Sequence, residues 1–279
     1  MMLRADYQEI VARALGEDLG TIGDITSEAC VDVSAEGDAF VVARSAGVIA
    51  GLEVAAHVFE TVDPSLVFES LALDGDRVDA GTKVARVTGR SRSILSGERT
   101  ALNLLGRMSG VATATAELVH LVEGTSARIA DTRKTMPGLR VLDKYAVRVG
   151  GGMNHRFGLY DAVLIKDNHL VAAGGIGKAV AAARATVLPG VMVEVEIDDL
   201  DQLAEVLQTD VDRVMLDNMG PESLRKAVAM ADGRVTTEAS GGITRENVRE
   251  LAETGVDIIS VGWITHSAPQ LDIALDFVS

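Results

Sequence analysis

The residues best suited to chemistry cluster between Asp131 and His169, in DTRKTMPGLRVLDKYAVRVGGGMNHRFGLYDAVLIKDNH. Seven Lys/Arg (Arg133, Lys134, Arg140, Lys144, Arg148, Arg156, Lys166) stand there against four Asp, in a chain of formal net charge −15. A basic island in an acidic protein points to a bound small anion, since long polyanions are met by broad basic surfaces. Arg140, Lys144 and Arg148 follow helical spacings of three and four and read as a solvated helix face. Arg133-Lys134, His155-Arg156 and Lys166 flank turns and strand ends instead, and read as ligands of the anion.

A second set of residues carries the opposite charge. Glu194 and Glu196 in VMVEVEID alternate onto one face of a strand, and Asp217 ends the next strand in RVMLDN. Inward carboxylates beside an anion site fit magnesium, held through few protein ligands and the substrate's own oxygens. Salt bridges to Lys134 and Lys166 are the other use of the same groups. Further on, SGGITRENV and VGWITHSAPQ each place small residues between a strand and a helix. Ser240-Gly241-Gly242 and Gly262 thereby offer backbone N–H groups to a phosphate, with Thr244 as a helix N-cap. No Cys/His cluster is spaced for zinc and no GxGxxG follows a first strand.

These residues need a scaffold that gathers strand ends. From residue 127 the chain repeats one unit, an apolar run followed by a helix: SARIAD, DAVLIKD, VMVEVEID, RVMLDN, VTTEASGG and DIISVG, with helices near 141–148, 174–187, 199–208, 221–231, 244–254 and 269–277. Val/Ile-rich strands alternating with helices form a parallel sheet with right-handed crossovers. Six units are too few for a complete eight-fold barrel, so an incomplete β/α barrel is expected, with its active site at the carboxyl ends of the strands. Those ends bear Arg133, Lys134, Lys166, Glu196, Asp217, Ser240 to Gly242 and Gly262.

The first part of the chain has a different texture. Asp6 to Leu19 reads as a helix, EDLGTIGDIT as a Gly-punctuated loop, and DAFVVAR, GVIAG, LVFESLAL and GDRVDAGTKVARVTG as strands of a small β-rich domain. The last hairpin resembles those of lipoyl and biotinyl carriers, but no matching partner hairpin with a lysine in its tight turn is found, which argues against carrier function. LSGERTALNLLGRMSGVATATAELVHLVEG is a helix bridging the two domains. Its apolar stripe is Leu95, Leu102, Leu105 and Met108, interrupted near Gly106 and Gly110. Arg99 and Arg107 lie along it as surface arginines.

Composition bounds the rest. With 279 residues, 47% hydrophobic, the chain can bury a full core. Its one cysteine, Cys30, fits a reducing compartment. The acidic, amphipathic opening is not a signal peptide, and no apolar run approaches the roughly 20 residues of a membrane span. An acidic balance with 3% aromatic residues argues against nucleic-acid binding. The expectation is a soluble cytoplasmic protein, free of membrane and nucleic acid.

At this point the motifs align with a known family. ERTALNLLGRMSGVATAT, DTRKTMPGLR, GGGMNHRFGLYDAVLIKDNH, VEVE, MLDN, EASGGI and SVGWITHS together resemble quinolinate phosphoribosyltransferases, the carboxylating nicotinate-nucleotide pyrophosphorylases, from GEDLGTIGDIT to the end of the chain. The resemblance implies an α+β sandwich with the bridging helix over 1–107, an open β/α barrel over 108–268, and a C-terminal helix packing back over 269–279. It implies phosphoribosyl transfer from phosphoribosyl pyrophosphate to quinolinate, with magnesium as cofactor, in a homodimer or hexamer with shared active sites. Arg99, Thr132, Arg133, His155, Arg156 and Lys166 would hold quinolinate, with Lys134 between the two substrates. Glu196 and Asp217 would orient the ribose and magnesium, and with Lys134 form the catalytic set. Ser240, Gly241, Gly242, Val261, Gly262, Trp263 and His266 would surround the 5′-phosphate; Trp263 stands where a small residue is expected. Three rival readings are a molybdenum-transport-associated paralogue of the same family, a Schiff-base aldolase using Lys166, and a non-catalytic anion-binding protein, against which the carboxylates beside the anion site argue.

Overall fold

The computed structural model describes residues 2–278. In chain order its elements are α1 (Arg4–Leu19), α2 (Ile25–Cys30), β1 (Glu36–Ala43), β2 (Gly47–Val48), α3 (Leu52–Val62), β3 (Val67–Ser70), β4 (Arg77–Val78), β5 (Lys83–Arg90) and α4 (Ser91–Leu121). There follow β6 (Arg128–Ala130), α5 (Arg140–Val149), β7 (Val163–Ile165), α6 (Asp167–Ala173), α7 (Ile176–Thr186), β8 (Val193–Ile197) and α8 (Leu200–Val206). The chain ends with β9 (Arg213–Asp217), α9 (Pro221–Ala231), β10 (Thr236–Ser240), α10 (Val248–Ala252), β11 (Ile258–Ser260), α11 (Trp263–His266) and β12 (Ile273–Phe277).

Two compact units result, both discontinuous in sequence. One runs through Ala116 and takes in Thr135–Gly151 and the chain from Ile264; the other is Glu117–Lys134 with Gly152–Trp263. The continuous boundaries expected near residues 107 and 268 differ from this division, because α5 and the last strand pack with the first unit.

The first unit is built on an antiparallel sheet of order β12-β1-β5-β3. On β1, Ala39, Val41 and Ala43 point inward at period two and are buried, as are Ala85 and Val87 of β5. Val54, Val58 and Phe59 of α3, with Ile94, Leu105 and Met108 of α4, complete that core. The C-terminal segment is a strand and not the helix expected there. Ile273 to Phe277 pairs antiparallel with Ala39 to Ala43, and Asp276 forms an ion pair with Arg44. The segment is short enough that its apolar pattern fits either element, and the open edge of β1 decides for the strand. The glycines that interrupt the α4 stripe have the same origin. A Cβ on Gly110 would lie 2.1 Å from the Pro269 carbonyl oxygen, and Leu271 N–H donates to the Gly106 carbonyl at 2.9 Å. The chain leading to β12 thus lies backbone against backbone along α4, which only glycine permits.

The second unit is a six-stranded, all-parallel sheet of order β6-β11-β10-β9-β8-β7. Consecutive strands are neighbours from β7 to β11, and β6 joins β11 instead of β7. This is a β/α barrel left open at one seam. Val193, Val195 and Ile197 of β8 and Val214 and Leu216 of β9 are buried on one face of the sheet. Leu203, Val206, Leu224, Ala227, Val248 and Leu251 supply the buried faces of the crossover helices. The opposite pleat positions are left for polar side chains. One expected detail changes: the helix after Gly242 starts only at Val248, with Thr244 N–H held by Asn247 Oδ1 at 2.8 Å in a turn, whereas the helix expected over 174–187 is found as α7, set off from α6 by Gly174-Gly175. Among the described residues no helix is long and apolar enough to cross a membrane.

Candidate active site

Strand alternation places the chemistry. Residues at i and i+2 share a face, so Leu164 and Lys166, Glu194 and Glu196, Arg213, Met215 and Asp217, and Glu238 and Ser240 form inward columns. Their carboxyl-terminal members line a cavity of about 420 Å³ together with Thr132, Arg133, Lys134, His155, Arg156 and Ser260. Nine residues named from sequence meet there: Thr132, Arg133, Lys134, His155, Arg156, Lys166, Glu196, Asp217 and Ser240. Sequence reasoning missed Leu164, Met215 and Ser260. The two-residue spacing from Lys166, Asp217 and Ile258 in their strands was the signal available.

The basic side chains are fixed from several sides. Thr132 Oγ1 accepts the Lys134 N–H at 3.0 Å, shaping the turn after β6. Asp161 accepts the N–H groups of Phe157 and Gly158 at 2.6 and 2.9 Å, closing the loop that follows Arg156. Arg156 Nη1 donates to the Ala162 carbonyl at 3.2 Å. Burial, and then the like charge of Arg133, lower the Arg156 pKa from its ordinary value. Two guanidiniums held together this way are primed for an anion that relieves their repulsion. Lys166 closes the other side, with His169 Nδ1 accepting its N–H at 3.0 Å at the start of α6 and Glu196 paired with its ammonium.

Glu196 and Asp217 each engage one neighbour. Glu196 Oε2 meets Lys166, and Asp217 Oδ2 accepts from Asn218 Nδ2 at 2.6 Å. One oxygen on each remains as a ligand atom, a donor set that fits magnesium completed by water and substrate oxygens. At the end of β10, Gly241 and Gly242 have φ of 91° and 61°. A Cβ on Gly241 would lie 2.2 Å from Asn218 Oδ1, so this tight backbone turn requires glycine. Successive N–H groups in such a turn form an anion nest.

Beneath the cavity lies a buried polar layer. Glu194 and Glu238 have no exposed surface. His155 Nε2 is 3.0 Å from Glu194 Oε2 and 3.6 Å from Glu238 Oε1, and Arg213 Nη1 is 2.9 Å from Glu238 Oε2. Burial, and then the charge of Glu194, raise the Glu238 pKa to about 7.

The remaining named residues do not line the cavity. Val261 is buried, and its N–H donates to the Ala130 carbonyl at 2.9 Å. Trp263 Nε1 donates to the Ile243 carbonyl at 3.1 Å, and the Arg245 guanidinium sits 4.4 Å from its ring centroid. The bulky ring is therefore absorbed by the β10–α10 connection. Arg99, on α4, has a largely exposed side chain and belongs to the first unit, as does His266, whose Nδ1 is 2.6 Å from Ser267 Oγ.

Comparison with known proteins places these features in a family. The chain matches the models of the quinolinate phosphoribosyl transferase N-terminal domain over residues 24–109 and C-terminal domain over residues 111–276. It is 43% identical over 288 residues to a tobacco (Nicotiana tabacum) protein named quinolinate phosphoribosyltransferase (decarboxylating) 2b, mitochondrial, covering 97% of this chain and 82% of the relative. It is 44% identical over 261 residues to a probable nicotinate-nucleotide pyrophosphorylase (carboxylating) of Bacillus subtilis, covering 93% and 89% of the two chains. The solved nicotinate-nucleotide pyrophosphorylase of Francisella tularensis superposes with a TM-score of 0.96 at 40% identity, over 100% of this chain and 98% of that one.

Proposed function

The chain belongs to the quinolinate phosphoribosyl transferase family, and we propose that it transfers the phosphoribosyl group of phosphoribosyl pyrophosphate to the ring nitrogen of quinolinate. The products are nicotinate mononucleotide, pyrophosphate and carbon dioxide, in a step of NAD biosynthesis. The observation that carries this reading is the cavity itself, where two arginines, two lysines and two carboxylates converge at the carboxyl ends of one parallel barrel. A planar dicarboxylate suits paired guanidiniums, and pyrophosphate oxygens suit lysine point charges.

The chemistry asks for little beyond such a charge frame. The ring nitrogen attacks the anomeric carbon as the bond to pyrophosphate breaks, through a cation-like transition state beside Glu196 and Asp217. Arg133, Arg156 and Lys166 would hold the ring at attacking distance, while Lys134, between the two substrates, would meet the charge of the leaving group. The nitrogen is then positive. Its charge stabilises the carbanion left on the ring carbon when the adjacent carboxylate departs as carbon dioxide, and a proton from water takes the place of the carboxylate at that carbon. Magnesium held by Glu196 and Asp217 would neutralise charge on the departing pyrophosphate. Ser240, Gly241 and Gly242 would take the 5′-phosphate on backbone N–H groups. No observation favours the Schiff-base reading, since Lys166 is engaged with Glu196. A cytoplasmic homodimer, with Arg99 reaching the neighbouring subunit's site, completes the reading.

The test is release of labelled carbon dioxide from quinolinate carrying the label in its 2-carboxylate. One carbon dioxide per pyrophosphate, and only when phosphoribosyl pyrophosphate is present, is the expected result. No release, or release without the second substrate, overturns the proposal.

A further inference from the structure

The cavity floor contains a chain of contacts that the reaction does not directly use. His155 is tied at three points: its N–H donates to Asp131 Oδ1 at 2.8 Å, its Nδ1 accepts the Arg156 N–H at 2.8 Å, and its Nε2 meets Glu194 Oε2 at 3.0 Å. A ring nitrogen that accepts an N–H carries no hydrogen, so the single hydrogen of this imidazole is on Nε2 and is given to Glu194. Two consequences follow. Glu238, Glu194 and His155 place ligand atoms within 4.8 Å of one another, yet a metal on Nε2 would leave a ring with no hydrogen at all, so the trio is a hydrogen-bonded array and not a cation site. Likewise both ring nitrogens are occupied by protein, and His155 has no N–H to offer a substrate carboxylate.

We propose that Glu194 is a positioning residue for the anion pocket: by accepting the His155 Nε2–H it fixes the tautomer whose Nδ1 holds the Arg156 backbone, and thereby aims the Arg156 guanidinium into the cavity. His155 is the strut between them. Stability alone is a poor reason for Glu194, because its second oxygen is buried and accepts no hydrogen bond, and buried carboxylates of this kind are costly. The mechanical link is short. One acceptor on β8 sets one ring, and the ring sets the residue that lies against Arg133. The inference rests on the cavity being the dicarboxylate site, and the first readout below does not depend on that reading.

The experiment compares the wild-type protein with Glu194→Gln and Glu194→Leu. Histidine-selective ¹⁵N spectra at pH 7, with the His155 signals identified by their loss in His155→Asn, report the tautomer in the absence of substrate. The wild type and Glu194→Gln, whose amide oxygen also accepts, should both show the Nε2–H form, and Glu194→Leu should lose it. In kinetics, Glu194→Leu should raise KM for quinolinate by about tenfold, the worth of one buried hydrogen bond, while KM for phosphoribosyl pyrophosphate and kcat stay within about threefold. Glu194→Gln should retain the wild-type KM. A wild-type His155 that is imidazolium or Nδ1–H overturns the proposal even if Glu194→Leu fails to fold. So does a folded Glu194→Leu with unchanged KM for quinolinate. A wild type with the expected tautomer and no turnover of quinolinate would instead remove the functional reading and leave the strut standing.

Discussion

Arg107 and Asp143 are joined side to side, with Nε and Nη2 of the arginine each 3.0 Å from a different oxygen of the aspartate. Asp143 has no exposed surface, and it also accepts the Met136 N–H at 3.1 Å. The pair thus ties α5 and the turn before it to α4. Burial raises the Asp143 pKa, with Arg107 opposing the shift. Removing the arginine would leave that carboxyl buried without its partner, so Arg107→Ala should cost about 3–5 kcal/mol in denaturant unfolding. Replacing both residues by apolar side chains should recover most of the loss; if the double variant is no more stable than the single, the pair is not a unit.

The legible and illegible parts of the chain divide along the same line. The barrel strands and the residues at their ends were readable because Val/Ile-rich runs and the two-residue pleat are local patterns, and Lys166, Glu196, Asp217 and Ser240 follow from them. Arg107 read as a surface arginine because its partner lies 36 residues away. Lys144 read as part of a solvated helix face, yet it is fully buried; helical spacing reports which residues share a face and not what covers it. Glu238 and Arg213 were visible by spacing from Ser240 and Asp217, but their pairing across two strands is tertiary. The C-terminal strand was mistaken for a helix since only β1, more than 200 residues earlier, supplies the edge that selects it.

Arg156→Lys keeps the charge and loses the planar fork. Quinolinate affinity should fall by an amount approaching the roughly 2–5 kcal/mol of a lost buried charge partner, with lysine recovering part of it. Isothermal titration of quinolinate measures this, and an unchanged Kd would remove Arg156 from the dicarboxylate site.

Glu196→Gln with Asp217→Asn should raise the magnesium concentration needed for half-maximal rate by at least about tenfold, with the fold unchanged by circular dichroism. The wild type should lose activity in excess chelator. Full activity under those conditions would end the metal role for both residues.

Glu238 should make stability fall as pH rises. Its folded pKa is raised to about 7 from the ordinary glutamate value of 4.5, so the folded protein binds this proton more tightly than the unfolded chain. Over that window the unfolded state binds fewer protons, and stability decreases towards alkaline pH. Glu238→Gln is neutral throughout. Its Tm relative to wild type should therefore be more favourable at pH 8 than at pH 5, by on the order of 2–5 °C. No difference between the two pH values would mean that Glu238 is ionised in the fold at both.

Arg99 offers the sharpest test of a shared site. Its side chain is 65% exposed, its nearest acidic partner is Glu98 at 3.9 Å, and the cavity is lined without it. An arginine so placed is either an ordinary surface charge or a group that acts on another copy of the chain. If it reaches a neighbour's quinolinate, Arg99→Ala should be inactive as a homodimer. Lys134→Ala should be inactive too, for a defect in the cavity of its own chain. A heterodimer of the two variants then holds one site with both defects and one with neither. The intact site draws Lys134 from the Arg99→Ala chain and Arg99 from the Lys134→Ala chain, so activity should approach half that of the wild type. Purification through two distinct tags isolates the mixed species from both inactive parents. A heterodimer as inactive as its parents would mean that Arg99 serves its own subunit or none, and the shared site would have to be abandoned.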